Sequence, residues 1–131
     1  MAKKLSITFT ARGYELDSYN HINNSVFLNY FEHARWEYFR ELGMYDFLRN
    51  NENLPVVTDI HIRYQREIRL FDEVVIESFC ISEKPYLVFQ QKIFNATTQT
   101  PAARATTKLI FLDAGGAPRE VPGEILERIN G

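Results

Sequence analysis

The chain has 131 residues, of which 15 are Lys or Arg and 17 are Asp or Glu, giving a net charge of −2. Its length fits one domain, and its 45% hydrophobic and 24% charged residues are typical of a globular protein rather than a disordered or fibrous one. No apolar run reaches the roughly 18 residues that a membrane span needs, and the first residues lack the apolar core of a secretory signal. The mildly acidic balance argues against nucleic-acid binding. We therefore expect a single domain over residues 1–131, located in the cytoplasm.

The cysteine and aromatic content exclude some protein classes and suggest that the chain contacts another subunit. The single cysteine, Cys80, excludes an intrachain disulfide and a cysteine-rich metal site. The chain also carries ten Phe, seven Tyr and one Trp. A small domain with this much aromatic surface often buries part of it against another subunit.

The N-terminal third contains one strand, one loop and one long helix. Alternating apolar and polar residues predict a half-buried strand over Lys3–Ala11, followed by a polar loop over Tyr14–Asn24. From Ser25 onward the apolar residues recur at helical spacing, and Gly43 supplies a stop.

The long helix has apolar residues on more than one side. Leu28 and Trp36 lie off its apolar stripe, which predicts a helix largely wrapped by other structure. A short helix over about Met44–Arg49 and a loop at Asn50–Asn53 are expected after it.

The rest of the chain is β-rich. Four strands joined by short turns are predicted before a closing helix at Pro122–Ile129: Val56–Gln65, Glu73–Ser82, Tyr86–Ala96 and Ala102–Leu112. Four consecutive strands of this kind predict an antiparallel meander. The elements therefore give an α+β fold with one antiparallel sheet on one long helix, and by themselves they give no function.

The segment from residue 12 to residue 38 resembles the hotdog-fold acyl-CoA thioesterases of the 4-hydroxybenzoyl-CoA thioesterase superfamily, and most closely their long-chain acyl-CoA branch. The matching motifs are Arg12-Gly13-Tyr14, Leu16-Asp17, His21-Ile22-Asn23-Asn24 and Tyr30-Phe31-Glu32-His33-Ala34-Arg35-Trp36. The resemblance implies a long central helix wrapped by a five- or six-stranded antiparallel sheet. It also implies a homodimer at minimum, often a dimer of dimers, with the active sites at the subunit interface.

By this resemblance Asp17 is the catalytic carboxylate. Thioester hydrolysis needs an attacking oxygen and stabilisation of the developing oxyanion. A carboxylate can activate water as a general base, or it can attack the carbonyl carbon itself and form an anhydride. From the residues alone, a turn acid held by backbone amides is the favoured interpretation of Asp17, and the motif around it favours catalysis.

Each polar residue between Asp17 and the helix has a structural and a functional interpretation. Asn23 and Asn24 either cap the helix, or bind the thioester carbonyl or position Asp17. Backbone N–H groups at the helix start or in the facing subunit are candidates for the oxyanion hole. His21 either braces the loop or transfers a proton, and we favour bracing.

Aromatic and apolar residues around this segment are candidates for the substrate channel. Tyr14 and Tyr19 flank Asp17 and either line the acyl or pantetheine channel or pack at the interface. Val26, Phe27 and Tyr30 on the helix are expected to line the acyl pocket.

Basic residues are candidates for the nucleotide end of coenzyme A. Arg63, Arg66 and Lys84 fit that role, and a solvated basic edge is the alternative. Glu32 and Arg35, three residues apart on the helix, are expected to form an ion pair.

The sequence therefore predicts a thioester hydrolase that cleaves a medium- to long-chain acyl-CoA to free acid and CoA. Two alternatives remain: an acyl-acyl-carrier-protein thioesterase, and a non-catalytic acyl-CoA-binding protein. His33 and His61 have no metal-ligand spacing, so neither a metal nor a cofactor is expected.

Overall fold

The computed structural model describes residues 2–49 and 53–131. Within these residues, three α-helices and six strands follow one another in the order β1 (Leu5–Thr10), α1 (Asn24–Glu41), α2 (Tyr45–Arg49), β2 (Leu54–Tyr64), β3 (Glu73–Glu83), β4 (Tyr86–Asn95), β5 (Thr100–Leu112), β6 (Pro118–Arg119) and α3 (Gly123–Asn130). A 3₁₀ turn at Gly13–Glu15 lies between β1 and α1. Most of the loop predicted at Asn50–Asn53 falls outside the described residues.

The strands form one antiparallel sheet in the order β1-β3-β4-β5-β2, with the short β6 paired to β5. In this order β3, β4 and β5 form a meander, but β2 lies beside β5 and not beside β3. The predicted meander of four consecutive strands is therefore wrong in the connection from β2 to β3. β2 pairs with β5 along most of its length, from Leu54 opposite Leu112 to Tyr64 opposite Ala103. The connection from β2 to β3 therefore crosses the end of the sheet, and residues 65–72 lie next to the start of α1.

α1 packs its apolar face onto the sheet. Phe31 and Tyr38 are almost completely buried, while Leu28 is 43% and Trp36 40% exposed. The expected packing of a long helix against the antiparallel sheet is therefore confirmed. Leu28 and Trp36 are thus large apolar side chains of α1 that the single chain leaves partly accessible.

Both ends of α1 have the residues that helix ends require. At the N-terminus, the Asn23 side-chain oxygen accepts a hydrogen bond from the backbone N–H of Ser25 (3.0 Å). At the C-terminus, Gly43 adopts a left-handed φ of 72°, which glycine accommodates without steric cost. These residues fix where α1 begins and ends, and so they fix the position of the loop before it.

The interface between α1 and the sheet contains a layer of polar side chains. Arg35 is only 8% exposed, and its Nη1 donates to Gln91 Oε1 (3.3 Å) and Thr107 Oγ1 (3.5 Å). Gln91 in turn donates from Nε2 to the backbone oxygen of Phe31 and to Ser78 Oγ, both at 3.0 Å. The predicted Glu32–Arg35 ion pair is wrong, because the Arg35 guanidinium lies against the sheet and hydrogen-bonds to Gln91 and Thr107 instead.

Candidate active site

The segment between the 3₁₀ turn and α1 forms a short two-armed loop. Leu16 and Ile22 face each other in an antiparallel bridge, and the backbone N–H of Asp17 donates to the oxygen of His21 (2.7 Å). Asn20 closes the tip with a left-handed φ of 63°, a conformation that asparagine tolerates better than most residues. The Ile22 N–H donates to the oxygen of Ile68 (2.8 Å), which ties the second arm to the crossing segment.

The two oxygens of the Asp17 carboxylate have different surroundings. Oδ1 accepts hydrogen bonds from the backbone N–H groups of Tyr19 (2.8 Å) and His21 (3.1 Å). Oδ2 has no hydrogen-bond partner among residues 2–49 and 53–131. One oxygen therefore fixes the carboxylate, and the other is available to a water molecule or a substrate.

Asp17 lies at the wall of a pocket of about 250 Å³ where the loop, the start of α1 and the end of β2 meet. The pocket is lined by Asp17, His21, Ile22, Asn24, Phe27, Tyr64, Gln65, Arg66 and Glu67. Tyr64 closes one side, since its hydroxyl donates to the backbone oxygen of Asn24 (3.1 Å) and its ring lies edge-on to Phe27 (5.3 Å between centroids).

Two of the residues that line the pocket are apolar and deeply buried. Ile22 and Phe27 are 2% and 3% exposed, and both belong to a hydrophobic cluster that continues between α1 and the sheet. Val26 is half-buried and packs against the same cluster. The lining of the pocket therefore combines a carboxylate with two buried apolar side chains.

Charged groups surround the mouth of the pocket. Glu67 pairs loosely with Arg69 (3.6 Å), and both side chains are exposed. A hydrogen bond to its own backbone holds the pKa of Glu67 below its ordinary value, and the positive charges of Arg69 and Arg66 act in the same direction. The mouth therefore carries both signs of charge, with Arg66 as the basic group that lines the pocket itself.

The other predicted substrate residues lie around this pocket or away from it. Asn23 caps α1, and exposed Tyr19 contributes its backbone N–H to Asp17. Tyr14, which is 84% exposed, and Tyr30, which is buried, line a separate cavity of about 360 Å³ between β1 and α1. Lys84 lies in the turn between β3 and β4, outside both cavities.

Arg63 lies on the opposite face of the sheet. It lines a cavity of about 360 Å³ together with Lys92 and Arg104, and it faces Arg104 directly across the β2–β5 pair. Arg63 and Arg66 are therefore not brought together, although they are three residues apart in sequence.

Sequence reasoning missed Glu15. Its side chain is only 7% exposed, and its carboxylate holds the backbone N–H of Arg12 (2.8 Å) and the hydroxyl of Tyr30 (2.7 Å). Burial and the bond to Glu15 both raise the pKa of Tyr30, so its hydroxyl remains a donor. Of the two partners of Glu15, Arg12 is close enough in sequence to be suspected from its spacing. Tyr30 lies fifteen residues later, and nothing local in the sequence indicates that contact.

The described residues include neither a membrane-spanning helix nor a metal-binding cluster. No helix there is long and apolar enough to cross a membrane. No group of three or more His, Cys, Asp or Glu side chains is placed to hold a metal ion within that part of the chain.

The sequence is similar to that of known enzymes. Residues 12–129 match the thioesterase-like superfamily. The chloroplastic acyl-acyl carrier protein thioesterase ATL3 of Arabidopsis thaliana is 25% identical over 128 residues, covering 95% of this chain and 67% of that protein. The long-chain acyl-CoA thioesterase FadM of Escherichia coli strain K12 is 36% identical over 67 residues, and this match spans 51% of each protein.

Solved structures show the same architecture. The probable thioesterase YbaW of Escherichia coli superposes with a TM-score of 0.83 at 26% identity, covering 94% of both chains. A Thermus thermophilus thioesterase solved with coenzyme A and Zn gives a TM-score of 0.82 at 29% identity, covering 95% of this chain and 90% of that chain. A 1,4-dihydroxy-2-naphthoyl-CoA thioesterase of Synechocystis gives a TM-score of 0.88 at 11% identity, covering 98% of this chain and 96% of that chain, which concerns the fold alone.

Proposed function

Because the chain belongs to the thioesterase-like superfamily, a family of thioester-hydrolysing enzymes, we propose that it hydrolyses an acyl-CoA to free acid and CoA in the pocket beside Asp17. The hotdog fold expected from the sequence is confirmed, since thioesterase structures superpose on nearly the whole chain. The substrate and the role of Asp17 are the proposal.

The observation that carries the proposal is the asymmetry of the Asp17 carboxylate. Two backbone N–H groups hold Oδ1, so the group cannot rotate freely, while Oδ2 has no hydrogen-bond partner among the described residues. Asp17 is one of the residues that line the pocket. An oriented carboxylate with one open oxygen suits a reaction in which a water or a carbonyl carbon approaches that oxygen.

Two routes use this oxygen. As a general base, Oδ2 takes a proton from water, the water oxygen attacks the carbonyl carbon, and the carbon–sulfur bond breaks as the thiolate of CoA leaves and takes up the proton. As a nucleophile, Oδ2 attacks the carbonyl carbon and expels the thiolate, and water then opens the anhydride. Both routes place negative charge on the carbonyl oxygen, next to the positive N-terminal end of α1 that begins at Asn24.

The surroundings of Asp17 support an acyl thioester as the substrate. The buried apolar side chains of Ile22 and Phe27, which line the pocket, suit a hydrocarbon chain. Arg66 at the rim is a donor for a phosphate of coenzyme A. The likeness to ATL3 favours an acyl-acyl-carrier-protein thioester as the second candidate substrate.

The test is free-thiol release from acyl-CoAs of graded chain length and from an acyl-acyl-carrier-protein, with wild type and Asp17→Asn side by side. We expect wild-type turnover that peaks at one chain length and falls by at least 100-fold in Asp17→Asn. Turnover only with the carrier-protein substrate identifies the second candidate. Tight acyl-CoA binding without turnover of any substrate contradicts the proposal and favours a binding protein.

Asp113→Asn is a matched control. Asp113 uses its Oδ1 in the same way, accepting from the backbone N–H groups of Gly115 and Ala117, both at 2.9 Å, in the turn between β5 and β6. If Asp17 only braces its loop, the two variants lose a similar amount of stability and neither loses activity. A loss of kcat in Asp17→Asn alone separates catalysis from bracing.

A further inference from the structure

Glu15 joins three parts of the chain at a point two residues before Asp17. Its Oε1 accepts hydrogen bonds from the Tyr30 hydroxyl (2.7 Å) on α1 and from the backbone N–H of Arg12 (2.8 Å), and its Oε2 pairs with the Arg12 guanidinium (3.1 Å). The side chain does not line the Asp17 pocket. Glu15 is therefore connected to that pocket indirectly, through the backbone of the loop and through Tyr30, whose ring stacks on Phe27 (6.1 Å between centroids).

The backbone of the loop connects Glu15 to Asp17. The carbonyl oxygen of Glu15 accepts from the N–H of Asn23 (2.9 Å), Leu16 bridges to Ile22, and Asp17 bonds to His21. Residues 15–17 thus form one arm of the loop and residues 21–23 the other. A shift of Glu15 relative to α1 moves the first arm, and Asp17 is the last residue of that arm.

The two arms have different attachments to the rest of the domain. The second arm is held by Ile22, which is buried in the core and donates its N–H to Ile68. The first arm carries the half-buried Leu16 and the buried Glu15. Glu15 is the member of this arm whose side chain bonds directly to α1.

We propose that Glu15 is a positioning residue, which holds Asp17 in its reactive place by fastening the first arm of the loop to Tyr30 on α1. The inference rests on the proposed function, since it assigns Glu15 a role through Asp17. Sub-ångström placement of a catalytic group affects the chemical step strongly, and displacements of about 1 Å can cost about 100-fold in rate.

The first experiment compares Tyr30→Phe with Tyr38→Phe in steady-state acyl-CoA hydrolysis. Each variant keeps its ring and removes one hydroxyl that links α1 to another segment, since the Tyr38 hydroxyl donates to the backbone oxygen of Lys3 (2.9 Å). We expect Tyr30→Phe to lower kcat by about tenfold with KM unchanged. Tyr38→Phe is expected to keep the wild-type kcat.

Variants of Glu15 itself add a graded series. Glu15→Gln retains an oxygen that accepts from Tyr30, so we expect it to keep more of kcat than Glu15→Ala. In an Asp17→Asn background, measured at enzyme concentrations high enough to follow residual turnover, Tyr30→Phe is expected to cause no further loss, because the group that it positions is gone.

The outcomes separate this inference from the proposed function. A wild-type kcat in Tyr30→Phe, an equal loss in Tyr38→Phe, a change in KM alone, or a further loss in the Asp17→Asn background each overturns the positioning role while leaving the hydrolase intact. A wild-type enzyme without turnover overturns both.

Discussion

Arg35 on α1 donates from Nη1 to the side-chain oxygen of Gln91 on β4 at 3.3 Å, so a buried cation is held by a neutral amide. Burial lowers the pKa of the Arg35 guanidinium, while the charge of Glu32 acts in the opposite direction. The polar layer around this pair separates two hydrophobic clusters: one extends toward the Asp17 pocket, and the other contains α3 and the far end of the sheet.

Gln91→Leu is expected to destabilise the fold more than Arg35→Met. Leucine at position 91 removes an acceptor from a buried charge and leaves the Phe31 carbonyl and Ser78 without their donor, which we expect to cost about 3 kcal/mol or more. Methionine at position 35 removes the charge and keeps most of the side-chain volume, so we expect about 1 kcal/mol. The free energy of unfolding, measured by urea titration, tests the order.

Gln90→Leu is the control for the polar layer. Gln90 is the neighbour of Gln91 on β4 but is half-exposed and accepts from Thr106 (2.9 Å). We expect this variant to lie within about 1 kcal/mol of wild type. A reversed order of Gln91→Leu and Arg35→Met would mean that the buried charge is not the costly element.

Asn23 is expected to act as a helix cap. Asn23→Ala removes the acceptor for the Ser25 N–H and should cost about 1 kcal/mol in the free energy of unfolding. Asn23→Asp should restore stability, because aspartate caps about as well as asparagine. Thermal unfolding and kcat are measured together, and a loss of kcat in a fully stable Asn23→Asp would instead place the amide at the substrate.

Cys80 is expected to be unreactive in the folded protein. Burial raises the pKa of the Cys80 thiol to about 12, and the residue is inaccessible. The pKa of a free cysteine thiol is about 8.5. At pH 8 the thiolate fraction of Cys80 is therefore about a thousandfold lower than that of a free cysteine. Iodoacetamide at pH 8 should therefore modify Cys80 only after denaturant is added, as followed by mass spectrometry, and modification at the rate of free cysteine would contradict the burial.

The same shift predicts how stability depends on alkaline pH. Between about pH 9 and 12 the unfolded chain loses the Cys80 proton while the folded chain keeps it, so the free energy of unfolding falls as the pH rises. Burial also raises the pKa of Tyr30 and Tyr38, and these groups act in the same direction at higher pH. Urea titrations at pH 8 and 10.5 should show a decrease that Cys80→Ala reduces in part.

Sequence patterns determined α1 and the strands well, because their evidence is local. The helix runs over Asn24–Glu41, close to the predicted span from Ser25 to the stop at Gly43. The family resemblance is confirmed by the superfamily match over residues 12–129. Alternation within a strand carries no information about its neighbour, so the pairing of β2 with β5 was not predictable in the same way.

The site was predicted in part for the same physical reason. Asp17, His21 and Asn24 are close in sequence and line one pocket. Tyr64 also lines it, but its contact with Asn24 joins residues that are forty positions apart in the sequence. Glu15 was missed because its burial depends on Tyr30. Interactions that join distant segments appear only once the helix and the crossing segment are placed.

The free edge of β2 is expected to pair with a second copy of the chain. In the described part of the chain β2 ends the sheet, and it exposes 52% of Leu54, 43% of Val57 and 45% of Tyr64. A long edge strand with exposed apolar side chains favours strand pairing with another chain. Val57→Lys places two like charges near one another in such a pair. Their repulsion is expected to cost about 1 kcal/mol or more and to raise the dimer dissociation constant by about tenfold. Sedimentation equilibrium measures the constant, and Thr8→Lys on the opposite edge strand, β1, should leave it unchanged; equal effects of both variants, or a monomeric wild type, would contradict pairing through β2.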